Sequence, residues 1–250
     1  MVPIALGSFA LLMPLPLPPV HRLFPGVFYG WVVALGVSVL SFVTVGVGFY
    51  GLPVLLVGLV ELRGWSPAAV AGATSLYFVV AAVAGSLVGR GVDRFGARGF
   101  VVAGALLMAA ALLGIGRVSE VGELYLLYPL MATGFAMSAG VPSSAFITRW
   151  FVARRALAMS ISQTGVSVGG IVLVPLSTWI LLGEGLGAAT GLLAVLVLAV
   201  ALPVVGLVLR FDPRPYGLLP DGGRELPPDN PLLRPEVQQR PWRTGEALRT

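Results

Sequence analysis

Charged residues fall in narrow bands along the chain, and between the bands run six stretches without a single charge: 23–60, 64–89, 99–116, 124–148, 156–183 and 185–209. About 20 apolar residues cross a bilayer as an α-helix, so each stretch predicts a membrane crossing. The first is too long for one straight span and carries Gly51-Leu52-Pro53 near its far end. Dividing it into two spans would reverse every later loop and spoil the charge alternation that follows. The pattern therefore predicts one long helix, bent or broken near Pro53. Ser66-Pro67 announces the second span, an N-cap followed by proline at the first helical position. The run 99–116 is just long enough to cross. The expected fold class is an all-α integral membrane protein with six transmembrane helices.

Loop arginines orient such a protein, because basic residues stay on the cytoplasmic side. Alternate helix-connecting loops place Arg90, Arg94, Arg98, Arg149, Arg154 and Arg155 on one side, with Asp93 as that side's acid. The other side receives Arg63 and Arg117 against Glu61, Glu120, Glu123 and Glu184. Arg22 and everything from Arg210 onward join the arginine-rich side. This predicts a multi-pass protein of the cell membrane with both termini cytoplasmic. Three regions follow. Residues 1–26, with Pro3, Pro14, Pro16, Pro18 and Pro19, read as a flexible or interfacial segment, residues 27–210 as the six-helix domain, and residues 211–250 as a Pro/Arg-rich cytoplasmic linker.

Composition sharpens the reading. Only 11% of the 250 residues are charged, against about 25% in soluble domains. Without cysteine there is no disulfide scaffold or thiolate metal site. The single histidine, His21, precedes the first span, which leaves no His-based zinc site and no Ser/His catalytic pair in the membrane. No catalytic residue, metal or cofactor is expected. The net charge of +5 would suit nucleic acid, but these arginines flank apolar spans, where topology accounts for them. The bilayer is the expected partner and nucleic acid is not. Water-channel folds need two Asn-Pro-Ala half-helices, whereas the one asparagine is Asn230.

The loop between the second and third spans reads Gly89-Arg90-Gly91-Val92-Asp93-Arg94-Phe95-Gly96-Ala97-Arg98. It resembles the signature that major facilitator superfamily transporters carry in that loop, with Ala97 in place of one arginine. In physical terms, Gly89 lets a helix end approach a neighbour, Gly96 permits a tight turn, Asp93 can accept hydrogen bonds from a helix N-terminus, and Arg94 and Arg98 can hold anionic headgroups. A second match opens the fifth span, from Trp150-Phe151 through Arg154-Arg155-Ala156-Leu157-Ala158 to Gln163-Thr164-Gly165. It is similar to the monocarboxylate transporter pattern, with departures at Trp150, Ala153, Ser160, Ser162 and Thr164. Tyr29-Gly30-Trp31 resembles the aromatic, glycine-rich entry motif of the same branch, and oxalate/formate antiporters look alike here. Val54 stands where animal monocarboxylate transporters have lysine after the proline, and Ala139 where several bacterial carriers have tyrosine, which leaves the substrate within that class open.

The resemblance implies an N-terminal six-helix half, built as a 3+3 inverted repeat, of a carrier that moves a small monocarboxylate or dicarboxylate by alternating access. Gly51-Leu52-Pro53 and Gly140-Val141-Pro142 hold corresponding places in the two triplets. None of the six spans carries a charge within the membrane. A buried carboxylate needs a cation or several donors, so the cation for an organic anion, and any carboxylate for proton coupling, have to come from a second six-helix half. What this half can supply is shape and neutral hydrogen bonds. The candidates are Thr44 and Tyr50 in the first span, Tyr77 in the second, Ser138 and Ser143 in the fourth, and Gln163 with Ser167, at i and i+4, in the fifth. Ser and Thr in membrane helices also commonly bond their own backbone, and Gly165 with Gly169 reads as a helix-packing pair. Arg154 and Arg155 read either as a cytoplasmic gate or as topology charges. The loop around Asp93 is expected to latch two halves together. Trp242-Arg243-Thr244-Gly245-Glu246-Ala247-Leu248-Arg249-Thr250 resembles the lead-in to a seventh helix, which predicts a truncated or split carrier. The competing expectation is an inactive or scaffold half-transporter that needs a second six-helix unit.

Overall fold

A computed structural model describes residues 26–213, 216, 218 and 220–222. The expected segment before residue 26, including His21, and the tail after residue 222 lie outside the described residues. Among the described residues the regular structure is all helical. The first span joins α1 (Tyr29–Val45), a π-helical turn (Gly46–Tyr50) and α2 (Gly51–Arg63). The second is α3 (Pro67–Phe95) and the third α4 (Ala97–Ile115). The fourth joins α5 (Val121–Ser138) and α6 (Val141–Trp150) across a break at Ala139 and Gly140. A long helical run, α7 (Arg155–Pro203), continued by a π-helical turn (Val204–Val208), passes through Gly185 at φ 83° and ψ −179°, a conformation no helix contains. Gly185 divides it into the fifth and sixth spans.

Contacts confirm that division. Residues 165, 169 and 181 lie against residues 38, 42 and 58 of the first span, so those two spans run side by side in the same direction. Beyond Gly185 the chain returns: Gly187 and Thr190 face Gly116 at the far end of α4, while the Val205 carbonyl accepts from Arg98 at its near end. The Tyr29 hydroxyl donates to the Val208 carbonyl at 2.7 Å. The start of the first span and the end of the sixth therefore share one face, the arginine-rich one.

Local chemistry explains the elements. Ser66 Oγ accepts from the Ala69 amide, and Pro67 occupies the first turn, as the sequence predicts. Glu120 and Glu123 form a reciprocal capping box at the start of α5. Pro53 has no amide proton to give the Phe49 carbonyl, and its ring crowds that position. The helix relaxes immediately before it, by widening into the π turn rather than by breaking. Gly46 and Gly48 make that wide turn packable, since a methyl on either would meet the backbone of Gly169 or the ring of Phe135. The fourth span is interrupted midway too, where Gly140 adopts φ 53° directly before Val141-Pro142. The first and fourth spans run in opposite directions, and each is interrupted within its length, at Gly46–Tyr50 and at Ala139 and Gly140.

Candidate functional site

Between the first and fourth spans, at the break in the fourth, lies a cavity of about 590 Å³. Ser41 and Val45 of the first span line it, with Ala81 and Gly85 of the second, Phe135, Ala136, Ala139–Val141, Ser143 and Ser144 of the fourth, and Met159, Ser162, Gln163 and Val166 of the fifth. The third and sixth spans contribute nothing to it and stand behind. The fifth-span stripe has the spacing i, i+3, i+4, i+7 of one helix face. The lining contains no charged side chain. Among the described residues, Ser41 and Gln163 make no hydrogen bond, which leaves a hydroxyl and an amide facing the cavity for a solute. Ser162 and Ser144 hydroxyls instead donate to the Met159 and Val141 carbonyls of their own helices, at 2.7 and 2.9 Å.

The structure brings Ser143 and Gln163 together in this cavity and places the other expected candidates elsewhere. Thr44 is fully buried and donates to the Leu40 carbonyl at 3.0 Å. Tyr77 is fully buried as well, and its hydroxyl donates to the Gly48 carbonyl at 2.6 Å, inside the π turn. Ser138 donates to the Gly134 carbonyl at 2.8 Å and sits 3.4 Å from Met108 Sδ. Tyr50 lies edge-on to Phe49 and fills the groove over Gly170. Ser167 falls outside the lining, because the cavity-facing stripe ends at Val166. Ser41, Ser144 and Ser162 were not anticipated. The signal available for Ser162 was its place beside Gln163 on the face flanking the Gly165-Gly169 packing pair.

On the arginine-rich face the loop signature is not a loop at all. The second span continues to Phe95, and Gly96 alone, at φ 84° and ψ 159°, links it to the third. The tight turn expected of Gly96 is thus present in its shortest form. Gly89 does not serve close approach within this chain, since a methyl there would meet Val141 at an ordinary 3.7 Å. Asp93 and Arg94 are exposed, and among the described residues Asp93 has no hydrogen-bond or ion-pair partner, so it caps no helix of this bundle. Arg94 stacks on Phe95 at 5.2 Å. Arg98 turns inward rather than toward headgroups and donates to the Val205 and Gly206 carbonyls at 3.1 and 3.4 Å, where it complements the negative C-terminal end of the sixth span. The Arg154 and Arg155 side chains are exposed at the start of the fifth span, in reach of the same face.

Two motifs some 120 residues apart in sequence meet on this face. Tyr29 packs on Trp150 with centroids 5.4 Å apart, and Trp31 packs on Phe151 at 4.7 Å. Phe28 touches both Trp150 and Phe151. The entry motif and the opening of the fifth-span motif thus form one aromatic cluster that ties the first span to the junction of the fourth and fifth.

Comparison with known proteins agrees with this architecture. The model of the Major Facilitator Superfamily matches residues 38–250. The chain is 34% identical over 153 residues to an "Oxalate:formate antiporter" of Oxalobacter formigenes, an alignment covering 59% of this chain and 35% of that protein. It is 34% identical over 128 residues to "Monocarboxylate transporter 13" of Bos taurus, covering 50% of this chain and 29% of that one, and 29% identical over 167 residues to an "MFS-type transporter pytF" of Aspergillus terreus, covering 66% and 54%. The chain thus spans only about a third to a half of the length of these relatives. With that match across most of its length, on a six-helix bundle whose interrupted first and fourth spans frame a cavity, the chain belongs to the major facilitator superfamily of membrane transporters.

Proposed function

We propose that this bundle is the N-terminal half of a secondary carrier that moves a small monocarboxylate or dicarboxylate across the cell membrane by alternating access, with its arginine-rich face in the cytoplasm. The observation that carries the reading is the cavity framed by the interrupted first and fourth spans, with the free hydroxyl of Ser41 and the free amide of Gln163 on its wall. The relatives named for oxalate, formate and monocarboxylate transport support the substrate class.

The wall is neutral, and a carboxylate leaving water for such a wall gains too little to offset its desolvation. In this reading a second six-helix half closes the cavity and brings the cation, together with any proton-coupling carboxylate. This half contributes orientation through Ser41 and Gln163, with Ser143 beside them, its hydroxyl donating to the Ser138 carbonyl at 3.5 Å. Asp93, free of partners in this bundle, latches the second half on the cytoplasmic side, and Arg154 with Arg155 lies beside that contact.

Uptake of labelled formate, oxalate and lactate into proteoliposomes tests the reading, with a carrier that contains this bundle together with a second half. Gln163→Leu is expected to raise KM about tenfold for the transported acid, the loss of one buried charge-assisted hydrogen bond. Unchanged KM in both Gln163→Leu and Ser41→Ala removes this wall from the substrate site. Flux equal to protein-free vesicles for all three acids in the intact carrier favours a scaffold role.

A further inference from the structure

The chain leaving the sixth span does not depart from the bundle at its end. Leu209 is fully buried and Arg210 nearly so. The Arg210 carbonyl accepts from Trp150 Nε1 at 2.8 Å. Phe211 stands edge-on to Phe146 with centroids 5.8 Å apart, lies next to the Gly96 link, and carries the Arg149 guanidinium 4.1 Å above its ring. Asp212 reaches the same guanidinium at 3.4 Å. Farther on, Asp221 is buried, and its carboxylate accepts from three consecutive amides of the turn before the fifth span: Val152 at 2.9 Å, Ala153 at 2.8 Å and Arg154 at 3.2 Å. Asp221 adopts φ 57°, the one described non-glycine residue in the left-handed region, a conformation that costs energy unless surrounding contacts hold it.

These contacts lie along a path with a direction. It begins at the sixth span, behind the cavity, crosses the inner ends of the first and fourth spans, and ends at the fourth-fifth corner, whose two spans line the cavity. We propose that the described residues after the sixth span, 209–213, 216, 218 and 220–222, belong to a strap that carries the chain from the rear of the bundle to its cavity side, with Asp221 as the pin. The exposed Arg149–Asp212 pair adds little by itself. The Asp221 carboxylate contributes more, because it satisfies three amides with charge-assisted bonds where the turn presents them together. Through these three bonds the described end of the strap lies at the turn that leads into Arg154 and Arg155 rather than at the end of the sixth span. In the proposed carrier this presents the second half to the open side of the cavity, a consequence that rests on that reading. The strap itself does not.

The chain contains no cysteine, which makes paired spin labelling clean. Labels at Leu157→Cys and Pro220→Cys, in the full chain in lipid nanodiscs, report the distance from strap to fifth span by double electron-electron resonance. A single narrow distance is expected. Asp221→Ala is expected to spread it over ~15 Å or more, the reach of a flexible coil of about ten residues. Asp221→Asn keeps one acceptor oxygen and is expected to fall between. A broad distribution in the parent, or an unchanged narrow one in Asp221→Ala with helix content preserved, overturns the strap. If Asp221→Ala fails to fold, the parent and Asp221→Asn distributions decide. No transport is needed, so a carrier that moves no carboxylate leaves this result standing.

Discussion

At the scale of single residues, the polar groups inside this bundle divide into those satisfied by the chain and those left for something else. Tyr77 belongs to the first group. The Tyr77 hydroxyl reaches the Gly48 carbonyl, inside the π turn, at 2.6 Å from the neighbouring span. Tyr77→Phe keeps the ring contacts with Tyr128 and Phe135 and removes only that bond. It is expected to destabilise the bundle by about 1 kcal/mol, the scale of an interhelical hydrogen bond in a membrane protein, read as a lower thermal midpoint in nanodiscs. An unchanged midpoint would mean that the Gly48 carbonyl finds another donor. Thr44 and Ser138 belong to the same group. A sequence cannot separate them from Ser41 because all of these hydroxyls lie in apolar helices. The direction each takes depends on the helix rotation, which the packing of neighbouring spans decides.

At the scale of helices, small residues set where spans touch, and that part was legible. Gly165 and Gly169, spaced four apart, predict a packing seam, and the first span lies in it: a methyl on Gly165 would strike the Ser38 carbonyl, and one on Gly169 the Phe42 carbonyl. Gly89 carries the same residue type in a motif that resembles a family signature, yet Val141 leaves room for a methyl beside it. Gly165→Ala is therefore expected to cost about 1–3 kcal/mol by forcing two backbones apart, while Gly89→Ala stays within ~0.5 kcal/mol. Equal losses in chemical unfolding of the two variants would contradict this assignment of the seam. The break near Pro53 was legible as a disturbance but not in form. Proline dictates that the ladder be interrupted, whereas the widened turn is packed through Gly46, Gly48 and Tyr77, whose contacts lie on other spans. The single-residue link at Gly96 was masked by the charge pattern, which marks the membrane boundary and not the helix end, so the second helix continues through Arg90, Asp93 and Arg94 into water.

At the scale of the whole molecule, the number of spans and the shared face of the bundle's two ends were written in the distribution of charge, because burying an unpaired charge in a bilayer is costly enough to exclude it from every span. The strap was not. Its Pro- and Arg-rich composition reads as a linker, and nothing local in Asp221 announces three amides that are contributed by a turn some 67 residues earlier. The same exclusion of charge that identified the spans leaves a cavity wall of hydroxyls, one amide and apolar groups. In the proposed carrier this wall orients a carboxylate but cannot neutralise it. The most direct test is uptake of labelled oxalate and formate into proteoliposomes that contain the 250-residue chain alone. The expected result is flux indistinguishable from protein-free vesicles. Saturable uptake of either anion, lost in Gln163→Leu, would contradict the need for a second, cation-bearing half.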